Sequence, residues 1–177
     1  YIEKPQIRIF ISSENYTPDF NLVDYAISFY PISFFDRHFC FPGLVDSLDI
    51  LHALDGKDRN YPDSIIAEKT YFANMIASHD SEYGLRSELF HKLSQYKRVE
   101  SLGPLLYNMP NGERVSREDG TKTAFLKKNK FTLCCESLNH TGFITEKIFE
   151  AFAADTIPVY YGSSTITEII NKDAFIN

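Results

Sequence analysis

Lys130 to Asn177 reads KFTLCCESLNHTGFITEKIFEAFAADTIPVYYGSSTITEIINKDAFIN, and its texture decides the fold class. Phe131 to Cys135 is a short run of strand formers. Thr145 then opens a helix, with its hydroxyl as the cap and Ile148, Phe149, Phe152 and Ala153 as the buried stripe. Thr156 to Tyr161 is nearly all apolar or β-branched and predicts the next strand, followed by a helix from about Ser164 to Asn171. Working back toward the amino terminus, Tyr71 to Ser78 (YFANMIAS) predicts a buried strand. Leu85, Leu89 and Leu93, with Phe90 beside them, mark one face of a helix ending near Tyr96, and Val99 opens another short strand. Strands alternating with helices in this order predict an α/β fold, with a parallel sheet covered by helices on both faces.

The amino-terminal part has a different texture. Arg8 to Ser12 and Val23 to Phe29 are two short strand-like runs joined by a polar, Pro-containing connection. Pro31, Pro42, Gly43, Gly56 and Pro62 interrupt the next stretch, which predicts mainly loops with a short helix around Ser47 to Leu54. Gly103 to Gly120 predicts a long surface loop of the kind that serves sites. The change of texture divides the chain at residues 1–68 and 69–177.

Composition narrows the function classes. The 177 residues are the length of one ordinary domain, and 44% hydrophobic residues suffice for a core. With 18 basic against 24 acidic residues the net charge is -6, so the footprint of a general nucleic-acid binder is missing. No run of about 18 apolar residues occurs, so no membrane span is expected and the chain reads as soluble. The adjacent pair Cys134 and Cys135, with Cys40, fits structural thiols and lacks the spacing of a zinc site.

Ligands of parallel sheets bind at the carboxyl ends of strands beside helix starts, and two places qualify. One is His79-Asp80-Ser81-Glu82 leading to Arg86; the other is Glu136-Ser137 running through Gly142 and Phe143 to Thr145-Glu146-Lys147. A helix start with a cation nearby makes a site for a phosphate or diphosphate. There is no Walker pattern, no G-x-G-x-x-G and no D-x-D pair for a metal-held nucleotide, so Arg86 and Lys147 would do the neutralising. Position by position an ordinary alternative stands: Thr145-Glu146-Lys147 as a simple helix start, Arg86 as a surface ion pair, Glu14 as a turn residue.

Taken together, the run from Lys130 onward resembles the donor-binding signature of the α-1,3-fucosyltransferases, glycosyltransferase family 10. The resemblance rests on a strand ending in an acid, then Gly-aromatic-x-Thr-Glu-Lys-Ile, Ile-Pro-Val-Tyr-Tyr-Gly and Phe-Ile-Asn. IFISSENYTPDFNLVDYAISF, followed by Asp36-Arg37, is similar to the acceptor-side segment of the same family. The resemblance implies a GT-B-like fold, with a Rossmann-type donor domain and a shortened or incomplete acceptor-side half. It implies inverting transfer of fucose from GDP-fucose to a hydroxyl, O3 by preference, of a GlcNAc- or glucose-containing acceptor such as N-acetyllactosamine or lactose, with no metal cofactor. Glu14 would be the base and Glu146 would bind the fucose ring. Arg86 and Lys147 would hold the diphosphate, while Phe143, Glu136, Ser137 and Thr145 would complete the donor site. A bacterial, cytoplasmic setting is expected, at most peripheral to the inner membrane, or the Golgi if the full protein carries an anchor. The chain departs from the family pattern with Cys135-Glu136-Ser137 in place of Phe-Glu-Asn, and with Phe143 in place of Tyr. Those departures leave two alternatives, a transferase for another nucleotide sugar or a nucleotide- or glycan-binding module without turnover.

Overall fold

The computed structural model describes residues 6–43, 48–57, 64–116 and 119–177. It contains two parallel sheets. The first has the order β1-β2-β3, from β1 (Ile9–Ile11), β2 (Tyr25–Ser28) and β3 (His38–Cys40). The Val23 to Phe29 run is thus a shorter strand than its composition suggested, and β3 falls where loops were expected. Arg37 makes β3 possible. Its guanidinium donates to the carbonyls of Asp24, Val23 and Phe20 and lies 5.1 and 5.2 Å from the Phe20 and Phe34 rings, pinning the connection that delivers β3 to β2.

The second sheet has the order β5-β4-β6-β7. Its strands are β4 (Tyr71–Met75), β5 (Val99–Ser101), β6 (Asn129–Cys135) and β7 (Ile157–Tyr161). The helices are α1 (Leu48–Asp55), α2 (Ser64–Ala67), α3 (Leu85–Tyr96), α4 (Thr121–Lys127), α5 (Glu146–Ala153) and α6 (Ile166–Ile169). Ser47, which the sequence placed in the first helix, lies outside the described residues. One face of this sheet, with Ala73, Met75, Val99 and Leu133, packs on Phe90, Leu89 and Leu93 of α3. On the other face Cys134 and Tyr160 pack with Ile148, Phe149 and Ala151 of α5 and with Ile166 of α6. Both faces are therefore covered, as the strand-helix alternation predicts.

Two expectations change on this side. α4 begins where the expected loop ends, and within that loop Met109 is buried with Leu102, just before it, and Phe125 of α4, so the segment is not all surface. The helix expected from Ser164 to Asn171 is the single turn α6. Lys69 is buried and donates to the carbonyls of Lys127 and Ala154, serving the ends of α4 and α5.

The two sheets meet at a glycine. Gly142 has φ +81°, and a Cβ there would stand 2.6 Å from both the Phe29 carbonyl oxygen and Pro31 Cδ, so only glycine fits. Beside it Phe143 and Phe29 pack edge to face with ring centroids 4.8 Å apart. Lys57, just after α1, donates to the Phe152 carbonyl and to Asp155 at the end of α5. Among the described residues no helix is long and apolar enough to cross a membrane.

Candidate active site

β4 lies between β5 and β6, so the chain leaves β4 toward one neighbour and returns on its other side. That reversal opens a crevice above the carboxyl ends of β4 and β6, where ligands of such sheets bind. A cavity of about 500 Å³ is found there, lined by Ser78, His79 and Arg86 on the β4 side and by Ser137, Phe143, Thr145, Glu146 and Lys147 on the β6 side. Ser13, Glu14 and Gly43 close it from the amino-terminal sheet. Seven of the eight residues singled out from sequence thus face one space; the eighth, Glu136, lies beneath it.

Glu136 follows β6 directly, and its side chain is 0% exposed. The Thr145 backbone N–H donates to Glu136 Oε1 at 2.8 Å and the Thr145 hydroxyl to Oε2 at 2.7 Å. Lys147 Nζ donates to Oε2 at 3.2 Å and to Thr145 Oγ1 at 2.8 Å. Thr145 occupies the position before α5, but its hydroxyl makes no capping bond: it donates its proton to Glu136 and its oxygen accepts from Lys147 Nζ. The N–H groups of the first turn of α5 consequently keep their positive field directed at the cavity.

Arg86 is only 3% exposed, which corrects the alternative of a surface ion pair. Nε and Nη2 both donate to the Cys135 carbonyl, at 3.0 and 2.8 Å, and Nη1 donates to the His79 carbonyl at 2.7 Å. It ties the ends of β4 and β6 together across the crevice. These bonds use three of its five N–H donors among the described residues, and burial pulls the guanidinium down from its ordinary value. Asp80 holds the start of α3, accepting from the backbone N–H groups of Ser81, Arg86 and Ser87 and from the Ser87 hydroxyl. Burial pushes the Asp80 carboxyl up, and these bonds outweigh it and hold the group below the usual carboxylate range.

Glu14 is exposed, in a turn after β1 where its N–H donates to Ser12 Oγ and its carbonyl accepts from the same hydroxyl. Glu146 Oε1 lies 4.0 Å from Lys147 Nζ. The Ser137 carbonyl accepts from the Glu82 N–H at 3.0 Å, joining the turns after β4 and β6. Burial raises the Cys135 thiol to about 11 and Cys134 well above its ordinary value, so neither is a thiolate at neutral pH. Among the described residues no group of His, Cys, Asp and Glu is assembled to hold a metal ion.

Sequence reasoning missed a further part of the cavity lining, where Lys122 of α4 and Glu150 of α5 form an ion pair and Val115, Leu126 and Asn74 also line the space. Glu150 was accessible to it, since it stands one turn below Glu146 on the same helical face. Lys122 was not, because α4 itself went unread.

Residues 66–177 match the model of Glycosyltransferase family 10 (fucosyltransferase) C-term, and residues 1–45 match the Alpha-(1,3)-fucosyltransferase FucT N-terminal domain. The chain belongs to glycosyltransferase family 10. It resembles the α-(1,3)-fucosyltransferase FucT of Helicobacter pylori, with 29% identity over 203 residues, 96% of this chain and 40% of that protein. A crystal structure of an α1,3-fucosyltransferase with GDP-fucose superposes with a TM-score of 0.77 at 29% identity, over 98% of this chain and 59% of that one. An α1,3-fucosyltransferase with GDP gives a TM-score of 0.75 at 28% identity, over 96% and 56%. This family 10 chain therefore spans about 40 to 60% of the length of these relatives. The α/β architecture of parallel sheets is the one these fucosyltransferases share.

Proposed function

We propose that this chain carries the GDP-fucose site and the proton-accepting carboxylate of an inverting α-1,3-fucosyltransferase. The acceptor is a GlcNAc- or glucose-containing glycan such as N-acetyllactosamine or lactose, fucosylated at O3. One observation carries the reading: Glu14 of the first sheet and Glu146-Lys147 of the second line the same cavity at the strand-order reversal. Similarity to an α1,3-fucosyltransferase solved with GDP-fucose, and to the Helicobacter pylori enzyme, supports the donor and a bacterial setting.

In this reading the acceptor hydroxyl attacks the anomeric carbon on the face away from the diphosphate while Glu14 takes its proton. The bond from that carbon to the phosphate oxygen breaks and its electron pair leaves with GDP, so a single displacement inverts the centre. Glu146 faces the positive charge developing on the fucose ring. The remaining N–H groups of Arg86, the Lys147 ammonium and the first turn of α5 receive the departing diphosphate, without a D-x-D metal site.

The test is incubation with GDP-fucose and N-acetyllactosamine or lactose, following a mass increase of the acceptor. GDP, and not UDP, should raise the melting temperature. Absence of product together with absence of GDP stabilisation would overturn the reading; stabilisation by UDP instead would change the donor, and GDP binding without transfer would leave a nucleotide-binding module. Glu14→Gln is expected to lower kcat by about 10²-fold or more while GDP still binds, and a fully active variant would place the base elsewhere.

A further inference from the structure

A carboxylate that is fully buried beneath a site for an anion is an expensive arrangement, because its charge both loses water and repels the ligand. Glu136 is such a group: it is 0% exposed, and both of its oxygens are spent on residues of the α5 start. Its partners are spaced so that the carboxylate, the Thr145 hydroxyl and the Lys147 ammonium close a triangle, with legs of 2.7, 2.8 and 3.2 Å. Thr145 and Lys147 line the cavity, and Lys147 brings the ammonium to it, while Glu136 does not line it at all. A flexible lysine otherwise loses considerable rotamer freedom when it must meet a ligand in one geometry.

We propose that Glu136 is a positioning residue that never touches the nucleotide sugar and acts through Lys147, fixing the ammonium over the α5 start before the diphosphate arrives. This inference rests on the function proposed above. It departs from the role that the family resemblance implies for Glu136, direct contact with the donor. The hydroxyl of Thr145 is part of the same device: diverted from capping α5, it hands the carboxylate's hold on to the ammonium and leaves the helix N–H groups facing the cavity.

Electrostatics and positioning make opposite forecasts for Glu136→Gln, which makes the variant informative. Removing a negative charge beneath an anion site would by itself tighten GDP binding. A glutamine amide, however, can serve only one side of the triangle with an acceptor and turns an N–H₂ group toward the other donors, so Lys147 loses its hold. If Glu136 positions Lys147, GDP binding to the chain, measured by titration calorimetry, weakens by about tenfold in Glu136→Gln. It then weakens no further when Glu136→Gln is added to Lys147→Met, because in that background there is no ammonium to position. Tighter or unchanged GDP binding in Glu136→Gln, or losses that add in the double variant, would overturn the inference.

Thr145→Val provides a second route if Glu136→Gln fails to fold: it keeps the carboxylate and the side-chain volume, removes only the hydroxyl, and is expected to show the same non-additivity with Lys147→Met. Acylation of Lys147 by acetic anhydride, followed by mass spectrometry, supplies a readout that needs no nucleotide. The held ammonium should react more slowly in the wild type than in either variant, and equal rates would count against positioning. A wild-type chain that takes up no GDP but holds Lys147 in this way would overturn the donor reading and leave the triangle standing.

Discussion

The two sheets are built from the same parallel geometry and differ in what covers them. In the second, strand residues such as Ala73, Met75 and Leu133 are buried against α3 on one face, and Cys134 and Tyr160 against α5 and α6 on the other. In the first, Ile9 is 56% exposed and Phe39 is 60% exposed, with Ile11 and Tyr25 also open to solvent. Registers pairing Ile9 with Tyr25, and Ile27 with Phe39, put these side chains on one common face. Parallel strands with apolar residues on both sides need two covering layers. The second sheet finds both within the described residues and the first does not, so most of the cohesion of the described structure resides in residues 69–177. The first sheet contributes Glu14, and it is held to the second by close contacts of Gly142 and Phe143 with Phe29 and Pro31 rather than by an extended shared core.

The contrast can be broken most sharply with matched truncations. Ile148→Ala, at a fully buried position of α5, is expected to cost about 2–5 kcal/mol, whereas Ile9→Ala in β1 should fall within about 0.5 kcal/mol of wild type. Urea unfolding of the two variants measures the difference, and equal midpoints would refute the assignment of cohesion to the second sheet. A smaller effect is expected at the start of α3. Asp80→Ala should lose about 1 kcal/mol at neutral pH, the value of a lost helix-start acceptor. Because the folded protein holds the Asp80 carboxyl below its unfolded value, that stabilisation is present above the ordinary carboxylate range. It is lost as pH falls through the lowered value, so the wild type and Asp80→Ala should converge in acid. A variant equally destabilised at every pH would show that the carboxylate charge is irrelevant there.

The smallest effect has the opposite sign. Burial on β5 pushes Glu100 up, despite the bond that Arg98 Nε donates to its Oε1 at 3.0 Å. A carboxyl raised in the folded state stabilises at pH values below its unfolded range and loses that contribution as pH rises through the folded value. Glu100→Gln should therefore melt slightly higher than wild type near pH 7 and show no advantage near pH 4. No comparable pH effect is expected from Asp24→Asn in the first sheet, where Arg8 lowers the carboxyl by hydrogen bonding at an exposed pair that salt screens.

Legibility of the fold in the amino-acid pattern divides along the same line. The strand of Phe131 to Cys135 and the stripe of α5 were legible, because burial on two faces writes long apolar runs and regular spacing into the chain. β3 was hidden: three residues, His38–Cys40, carry no periodicity, and the staple that holds them, Arg37, works through backbone carbonyls of Phe20, Val23 and Asp24. α4 was hidden because only Phe125 and Leu126 of its seven residues are buried. At the site, residue types marked the right positions but not their environments. Thr145 read as a cap, and nothing local to it announces that a carboxylate nine positions earlier will take its hydroxyl. Arg86 read as a cation free to meet a ligand or a surface acid, and its burial between two strand ends depends on the sheet having closed.

The bonds of Arg86 to Cys135 and His79 bear on how the molecule moves. A guanidinium that spans the crevice fixes the spacing of the two strand ends, so this wall of the cavity is a rigid seat. Among the described residues the Glu14 turn is held by local bonds, with the Ser12 hydroxyl and from the Tyr16 N–H to the Glu14 carbonyl, and by the Ser12 N–H donating to the Ile27 carbonyl. Under the proposed function, a closing motion that brings Glu14 toward the sugar would then lie on the amino-terminal side of the cavity. In kinetic terms, changes around Glu14 should alter the rate of closure and product escape, and changes around Arg86 the fraction of molecules able to bind at all.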